Sequence, residues 1–319
     1  MMNILITGIH GFVGSNLVRA LKDKYALYGL DIVSPDREGV IRTFGWEHLK
    51  YQTMPPVDVI IHLAGKAHDT GNKSEAQVYF DINTGLTKTI YDYFLTSQAT
   101  KFIFFSSVKA VTDHVNGAVL TEEVIPDPKG PYGESKKKAE QYILKHLPGP
   151  ATGKSVYILR PCMIHGPGNK GNLNLLYQVV QKGIPWPLGA FENRRSFVSA
   201  DNLCFIIDRL IASPVASGIY QIADDEALST NELIEVMCDS LGRNPRIVHF
   251  PKGLIQALSR VGGLLHLPLN PERLRKLTEN YVVSNTKLKE AVGLEKMPVN
   301  ARDGLKKTLK SLMNIRKIT

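Results

Sequence analysis

Along the first half of the chain, short runs of β-branched and aromatic residues alternate with stretches whose apolar residues recur every three or four positions. That alternation predicts an α/β, doubly wound parallel sheet with crossover helices. Strands are expected at 3–7, 26–31, 57–64, 101–106 and 156–160, and helices at about 12–23, 76–98 and 131–147. Val57-Asp58-Val59-Ile60-Ile61-His62-Leu63-Ala64 is almost continuously apolar, as a strand covered on both faces requires. Past residue 165 the texture changes. Gly166-Pro167-Gly168-Asn169-Lys170-Gly171-Asn172 reads as a loop, followed by a helix at about 173–183 and the Pro/Gly-bearing Ile184-Pro185-Trp186-Pro187-Leu188-Gly189. Further helices are predicted at 201–212, 230–241, 253–262, 271–277, 285–291 and 301–313. There is no internal repeat and no linker that cuts the chain cleanly. A first domain is therefore expected over 1–168, with return segments at about 195–224 and 278–288. A smaller, mostly helical domain would take about 169–194 and 225–319.

Composition narrows the setting without naming a chemistry. With 319 residues, 43% of them hydrophobic, the chain can bury a full core. Its start, Met1-Met2-Asn3-Ile4-Leu5-Ile6-Thr7, reads as a buried strand rather than a signal peptide. No run approaches the ~18 apolar residues of a membrane span. Cys162, Cys204 and Cys238 are odd in number and widely spaced, which argues against disulfides or a zinc site and fits a reducing cytoplasm. The net charge of +9 suits anionic partners, but the basic residues are dispersed, so nucleic acid is not expected. The basic run Arg302 to Lys317 has helical spacing and reads as a solvated face. The apolar, basic-flecked stretches Gly253-Leu254-Ile255-Gln256-Ala257-Leu258-Ser259-Arg260 and Gly263-Leu264-Leu265-His266-Leu267 suit either a core helix or contact with a membrane surface.

Between the first strand and the first helix stands Thr7-Gly8-Ile9-His10-Gly11-Phe12-Val13-Gly14. Glycines at this spacing permit a tight turn, close approach of backbone amides to a pyrophosphate, and close helix–strand packing. The helix N-terminus offers free amides and a positive dipole to the same anion. Asp31, at the end of strand two, can accept both adenosine ribose hydroxyls and would repel a 2′-phosphate, which favours NAD over NADP. No acidic residue between Asp31 and Val57 is evident as a clamp for the adenine.

A tyrosine and a lysine follow at helical spacing in Pro131-Tyr132-Gly133-Glu134-Ser135-Lys136, a pair that chance alone supplies about once in a chain of this composition. Placed one turn apart, both project from one helix face. A tyrosine with pKa about 10 must lose about three units, or ~4 kcal/mol, to act as a base near neutrality. A fixed ammonium and a cationic nicotinamide ring would favour that shift. Ser107, in Phe104-Phe105-Ser106-Ser107-Val108-Lys109, is placed to hydrogen-bond a substrate hydroxyl and relay its proton. His62 and His68 have the chemistry of metal ligands, but a core or cofactor-lining role is the better reading and no metal is expected.

Other segments join this set: Asp58 with His62-Leu63-Ala64, Asn83 in Asp81-Ile82-Asn83-Thr84-Gly85, and Leu159-Arg160-Pro161 followed by Gly166-Pro167. Arg195-Ser196-Phe197-Val198 and Ser284-Asn285-Thr286-Lys287 complete it. With these residues the chain resembles, along essentially its whole length, the extended short-chain dehydrogenase/reductases, specifically the nucleotide-sugar epimerase/dehydratase group. The resemblance implies a Rossmann-type fold, a Ser107-Tyr132-Lys136 catalytic triad, and Lys136 on the nicotinamide ribose. It implies cofactor contacts from Gly8, His10, Gly11, Phe12, Val13, Gly14, Asp31, Leu63, Ala64, Gly65, Asn83, Ser106, Tyr132, Lys136 and Pro161. Substrate contacts are implied for Lys66, Ser107, Lys109, Met163, Asn172, Arg194 and Arg195, with Asn172 and Arg195 facing a diphosphate. A homodimer through the 76–98 and 131–147 helices is a further implication.

Departures from the family pattern shape the function expected. Met163 stands where galactose-type epimerases usually carry Asn, His165 where they carry Tyr, and Ala110-Val111-Thr112 replaces Val-Tyr-Gly. The segments from Gly168 to Leu173 and from Asn193 to Ser196 look closer to two surface-polysaccharide subgroups. One reduces 4-keto-6-deoxy-N-acetylhexosamine nucleotides; the other epimerises N-acetylhexosamine on a polyprenyl diphosphate. The leading expectation is an NAD-dependent C4 epimerase of a diphosphate-linked sugar. A 4-keto-sugar reductase using NAD(P)H is the alternative, and a non-catalytic dinucleotide sensor fits the intact triad poorly. Val108 and Lys109 after Ser107, in place of an acid, argue against a 4,6-dehydratase.

Overall fold

A computed structural model describes residues 1–51, 53–66, 75–115, 117–169, 171–264 and 270–315. Its centre is a seven-stranded sheet, parallel throughout. Strand β1 (Asn3–Thr7) lies in the middle; after helix α1 (Phe12–Leu21) the chain adds β2 (Ala26–Leu30) and β3 (Arg42–Phe44) on one side. A short helix, α2 (Glu47–Lys50), then leads back across the sheet, and β4 (Val59–His62) pairs with the other side of β1. Helices α3 (Ala76–Tyr79) and α4 (Thr87–Thr96) follow, then β5 (Lys101–Phe105), α5 (Pro131–Lys145) and β6 (Ser155–Pro161). The strand order is therefore β3-β2-β1-β4-β5-β6, with one further strand beyond β6. Winding reverses between β1 and β4, and the ends of such strands leave a crevice at that point. β1 and β4 register with Thr7 opposite His62, so both strands end at the same level.

The expected strands and helices appear within a few residues of their sequence-based bounds, but one helix is interrupted and four further short strands, β3 among them, were not expected from the sequence. The 76–98 helix is interrupted by a π-helical turn at Phe80–Leu86. There the buried Asn83 and Thr84 bond across to α5: Asn83 Nδ2 donates to Ser135 Oγ (3.0 Å) and Thr84 Oγ1 to the Ser135 carbonyl (2.9 Å). Such wide turns often mark functional positions in helices. Two three-residue strands, β7 (Met163–His165) and β8 (Phe197–Ser199), form a separate parallel pair too short to show periodicity. Helix α6 (Asn172–Gln181) lies between those two strands in sequence and α7 (Ala200–Ala212) follows β8 directly; β9 (Gly218–Ile222) then completes the main sheet beside β6.

The remaining helices are α8 (Thr230–Ser240), α9 (Lys252–Leu264), α10 (Pro271–Thr278), α11 (Thr286–Val292) and α12 (Ala301–Ile315). The start of α8 carries a full capping box, Ser229 with Glu232. Apolar packing falls into three clusters. One contains Ile4, Ile6, Leu17 and Ile103, and another contains Leu5, Ile60, Phe94 and Phe102, so alternate β1 residues feed opposite faces of the sheet. The third, around Tyr177, Trp186, Phe197, Met237 and Leu305, belongs to the later helices.

Candidate active site

Gly8 leaves β1 with φ +68°, and a Cβ there would stand 2.9 Å from the Ala64 amide nitrogen. Any side chain would therefore push apart the loops after β1 and β4, besides straining the backbone. A Cβ on Gly14 would stand 2.6 Å from the Gly8 carbonyl oxygen, so its absence lets α1 sit against the turn. Gly11, the residue before α1, carries no side chain over the helix start. Phe12 and Val13 occupy the first turn itself. These backbone features fit a dinucleotide pyrophosphate. Asp31 faces the same turn: its carboxylate accepts from the His10 amide (3.1 Å) and the Ile32 amide (2.8 Å). The His10 ring lies against Thr43 on β3 (3.3 Å). Arg37, absent from the sequence-based set, donates to the Ile9 carbonyl and Ser15 hydroxyl, both at 3.1 Å.

Across the crevice, a buried hydrogen-bond chain fixes the loop after β4. Thr7 Oγ1 accepts from the Leu63 and Ala64 amides (3.2 and 3.0 Å). Its own proton therefore goes to His62 Nδ1 (2.7 Å), which leaves Nε2–H to donate to Thr87 Oγ1 (2.9 Å). Thr87 then donates to the Asn83 carbonyl (2.6 Å). Burial, aided by the charge of Lys136, holds the His62 pKa well below its ordinary 6.5, so the ring is the neutral link this chain requires. His62 is thus a core histidine. His68 lies outside the described residues, and among those described no group of three or more metal-ligating side chains converges. Asn83 also clasps Lys66 through its amide (2.8 Å) and carbonyl (3.2 Å), which holds Gly65 close to Lys136.

Tyr132 and Lys136 open α5 one turn apart. Lys136 is buried, its Nζ donating to the Phe105 carbonyl (2.8 Å) at the end of β5. Burial lowers its pKa from 10.5 to about 8, against an opposing pull from Glu140. Tyr132 is half-buried, hydrogen-bonded to Ser107 and set edge-on to Tyr79 at 6.3 Å. Burial raises the Tyr132 pKa above 10.0, while the Ser107 bond works in the opposite direction. The protein alone therefore keeps Tyr132 protonated. Ser107 Oγ also accepts from the Lys109 amide (3.1 Å), which fixes the serine at the end of β5.

Ser106 and Ser107 diverge, as successive extended residues do. The Ser106 hydroxyl turns inward and donates to Glu140, so its side chain is spent in the core rather than facing a cofactor. Glu140 in turn binds Arg160 through two bonds, at 2.9 and 2.6 Å, both residues being buried. Glu140 stands at i+4 from Lys136, a spacing legible in the sequence; its partner Arg160 on β6 is not.

The substrate-facing set divides in the same manner. Backbone bonds pin Arg195 between Leu228 and Tyr281, and Arg194 and Arg195 project to opposite sides. Arg195 reaches Glu279 (3.4 Å), whose other oxygen meets His114 (2.9 Å). Lys109 lies 4.8 Å from the Tyr281 ring and 3.4 Å from Asp113. Burial lowers the pKa of both Lys109 and Arg195. Arg194 instead binds Glu232 and the Ala227 carbonyl. Lys66 Nζ stands 5.5 Å from the ring of Tyr79, the residue that meets Tyr132. Met163, 38% exposed, keeps an open side chain on β7. His165 is buried and bonds Thr308 of α12 at 2.9 Å, so it supports packing rather than specificity. Pro161 closes β6. Asn172 starts α6, but its side chain and Lys170 lie outside the described residues. All three cysteines are buried and unpaired, and burial pushes the Cys162 thiol well above its ordinary range, leaving it inert.

The cradle at the switch point, with tyrosine, lysine and serine across from it, defines a Rossmann-type dinucleotide enzyme. The chain belongs to the NAD dependent epimerase/dehydratase family, whose model matches residues 4–223, and NAD is its cofactor. It is 29% identical over 324 residues to a UDP-glucose 4-epimerase of Vibrio cholerae, covering 98% of this chain and 95% of that protein. It is 26% identical over 294 residues to the N-acetyl-alpha-D-glucosaminyl-diphospho-ditrans,octacis-undecaprenol 4-epimerase of Escherichia coli O157:H7, covering 90% and 85%. The solved UDP-N-acetylglucosamine 4-epimerase from Bacillus cereus superposes with a TM-score of 0.76 at 20% identity, over 98% of this chain and 100% of that one. At that identity the likeness concerns the fold.

Proposed function

We propose that this enzyme is a C4 epimerase of a diphosphate-linked sugar, of UDP-hexose or UDP-N-acetylhexosamine type, acting through a 4-keto intermediate. The observation that carries this reading is the Ser107–Tyr132 hydrogen bond beside the buried Lys136, opposite the glycine cradle. NAD, which Gly8, Gly11, Gly14 and Asp31 would hold, supplies a hydride acceptor able to return the hydride to the sugar. In this assignment Tyr132 Oη takes the proton of the C4 hydroxyl, and Ser107 bonds the same hydroxyl and relays it. Lys136 supplies a fixed positive charge that favours the tyrosinate. Arg195 and Lys109 bind the diphosphate end, so that the ring can turn over while its anchor stays in place.

A test separates this from the second reading, a one-way 4-keto-sugar reductase. Arg37 on the glycine turn favours that alternative, because a guanidinium there suits a 2′-phosphate. The purified enzyme would be incubated anaerobically with UDP-hexose, UDP-N-acetylhexosamine, 4-keto-6-deoxy and polyprenyl-diphosphate sugars, scoring product and net NAD(P)H. Epimerisation leaves the nicotinamide balance unchanged. Stoichiometric oxidation would overturn the proposal in favour of the reductase, and turnover only of the polyprenyl substrate would change the carrier.

Two further outcomes are expected. Arg195→Ala should raise KM for a diphosphate-linked sugar about 10- to 100-fold, in line with loss of a charged hydrogen bond. Arg194→Ala should leave KM within about twofold, since its guanidinium points elsewhere. Steady-state kinetics on both variants decides whether the division between the arginines is functional.

Lys136 also gives a pH signature. Its folded pKa of about 8 lies below the ordinary 10.5, so the buried ammonium destabilises the fold below pH 8. That penalty, about 3 kcal/mol, is relieved as pH rises from about 8 to 10.5. Turnover should move the other way, falling as pH rises through about 8 and the fixed charge is lost. A kcat profile paired with chemical denaturation at each pH reads both; turnover flat to pH 10 would contradict the role given to the ammonium.

A further inference from the structure

Helix α9 buries only Ile255, Ser259 and Gly262, positions that share one narrow face at helical spacing. Its packing partner is α10, and the contact is close: a Cβ on Gly263 would stand 3.1 Å from Pro271. Beside that packed face the apolar surface continues. Leu254, Leu258 and Val261 are each about half exposed, and Leu264 is 80% exposed. They lie at i, i+4, i+7 and i+10, one continuous stripe along the helix. A helix packed only for the fold needs no second apolar face. Apolar residues scattered singly on a surface carry no message, but a stripe of this kind marks a contact surface.

The charge around the stripe selects the occupant. Over the described residues 246–264 and 270–278 there are six basic residues (Arg246, Lys252, Arg260, Arg273, Arg275, Lys276) against one acid, Glu272, a balance of +5. Glu272 is itself paired with Lys276 at 2.7 Å. An apolar stripe carried on a strongly basic segment complements an anionic lipid headgroup layer over a shallow apolar interior. A second copy of this chain would bring two such basic segments together. Among the described residues no helix is long and apolar enough to cross a membrane, so this helix would lie along the surface. α10 runs directly into Glu279 and Tyr281, which places the stripe on the same lobe as the charged cluster around Arg195.

We infer that α9 docks this enzyme peripherally on anionic lipid, with Leu254, Leu258, Val261 and Leu264 entering the headgroup boundary. The inference stands whichever sugar is the substrate. The full chain would be sedimented with phosphatidylcholine vesicles containing either no or about 30% phosphatidylglycerol, at low salt and at about 0.5 M NaCl. Binding at least about tenfold stronger to the anionic vesicles, and weaker at high salt, is expected. Leu258→Asp with Val261→Asp should lower it at least tenfold, with circular dichroism and NAD binding unchanged. Absence of binding to the anionic vesicles at low salt overturns the inference, as does binding that survives the double substitution. A wild-type dimer that this substitution splits, with no vesicle binding by either form, would assign the stripe to a second copy instead.

Discussion

Replacing Tyr132 by phenylalanine is expected to lower turnover by about 10²- to 10⁴-fold, the range a positioned general acid–base group contributes. The substitution removes one oxygen and keeps the ring, so the edge-on contact with Tyr79 at 6.3 Å survives. Ser107 remains held by its bond from the Lys109 amide, and Lys136 by the Phe105 carbonyl. The glycine turn and Asp31 are untouched. Affinity for NAD should therefore change by no more than a few-fold, while the proton acceptor disappears. Product formation and calorimetric titration with NAD read the two properties separately. Turnover retained at more than about a tenth of the native rate would place the base on another residue.

Glu140→Ala is expected to have the largest effect on stability. Glu140 and Arg160 are both 2% exposed and joined by two hydrogen bonds. Removing the carboxylate strands a guanidinium in the core, a loss of about 3–5 kcal/mol. For a chain of 319 residues that corresponds to a fall in Tm of about 4–8 °C. Arg160 Nη1 has no hydrogen-bond partner, so the pair already leaves one polar atom unsatisfied. Removing both charges with Glu140→Ala and Arg160→Met should therefore recover much of the stability. It should not restore the chemistry. Glu140 raises the Lys136 pKa, and without it the value moves further below about 8, shifting the alkaline loss of turnover to lower pH in both variants. If the double variant recovers stability and the native pH profile together, the network serves packing alone.

The two experiments probe residues of unequal legibility. Tyr132, Lys136 and Ser107 were readable because their spacing is local: one helical turn, and one position past a strand. Glu140 shares the Lys136 face and was within reach of the same reasoning. Arg160, 20 positions further on, became its partner only because β6 packs beneath α5. Ser106 and Ser107 could not be told apart by type. The pleat at the end of β5 turns one toward Glu140 and the other toward Tyr132. Glu279 and His114, which flank Arg195 and are 165 positions apart, gave no local signal at all.

Two local properties were determined by the sequence itself. Hydrophobic period distinguished strands from helices, since burial on one or two faces leaves its mark within a few residues. The glycines at 8, 11 and 14 marked the turn, because φ +68° and a missing Cβ are demands on single residues. Orientation came only with the tertiary structure. Arg194 and Arg195 are the same residue type in succession, yet pairing with Leu228 and Tyr281 sends one to Glu232 and the other to Glu279. His62 became a neutral core link because Thr7, Thr87 and the Leu63 and Ala64 amides converge on one buried chain. A side chain's neighbours across a sheet or between lobes depend on long-range register. A shift of one residue reverses every face, and no local pattern encodes it.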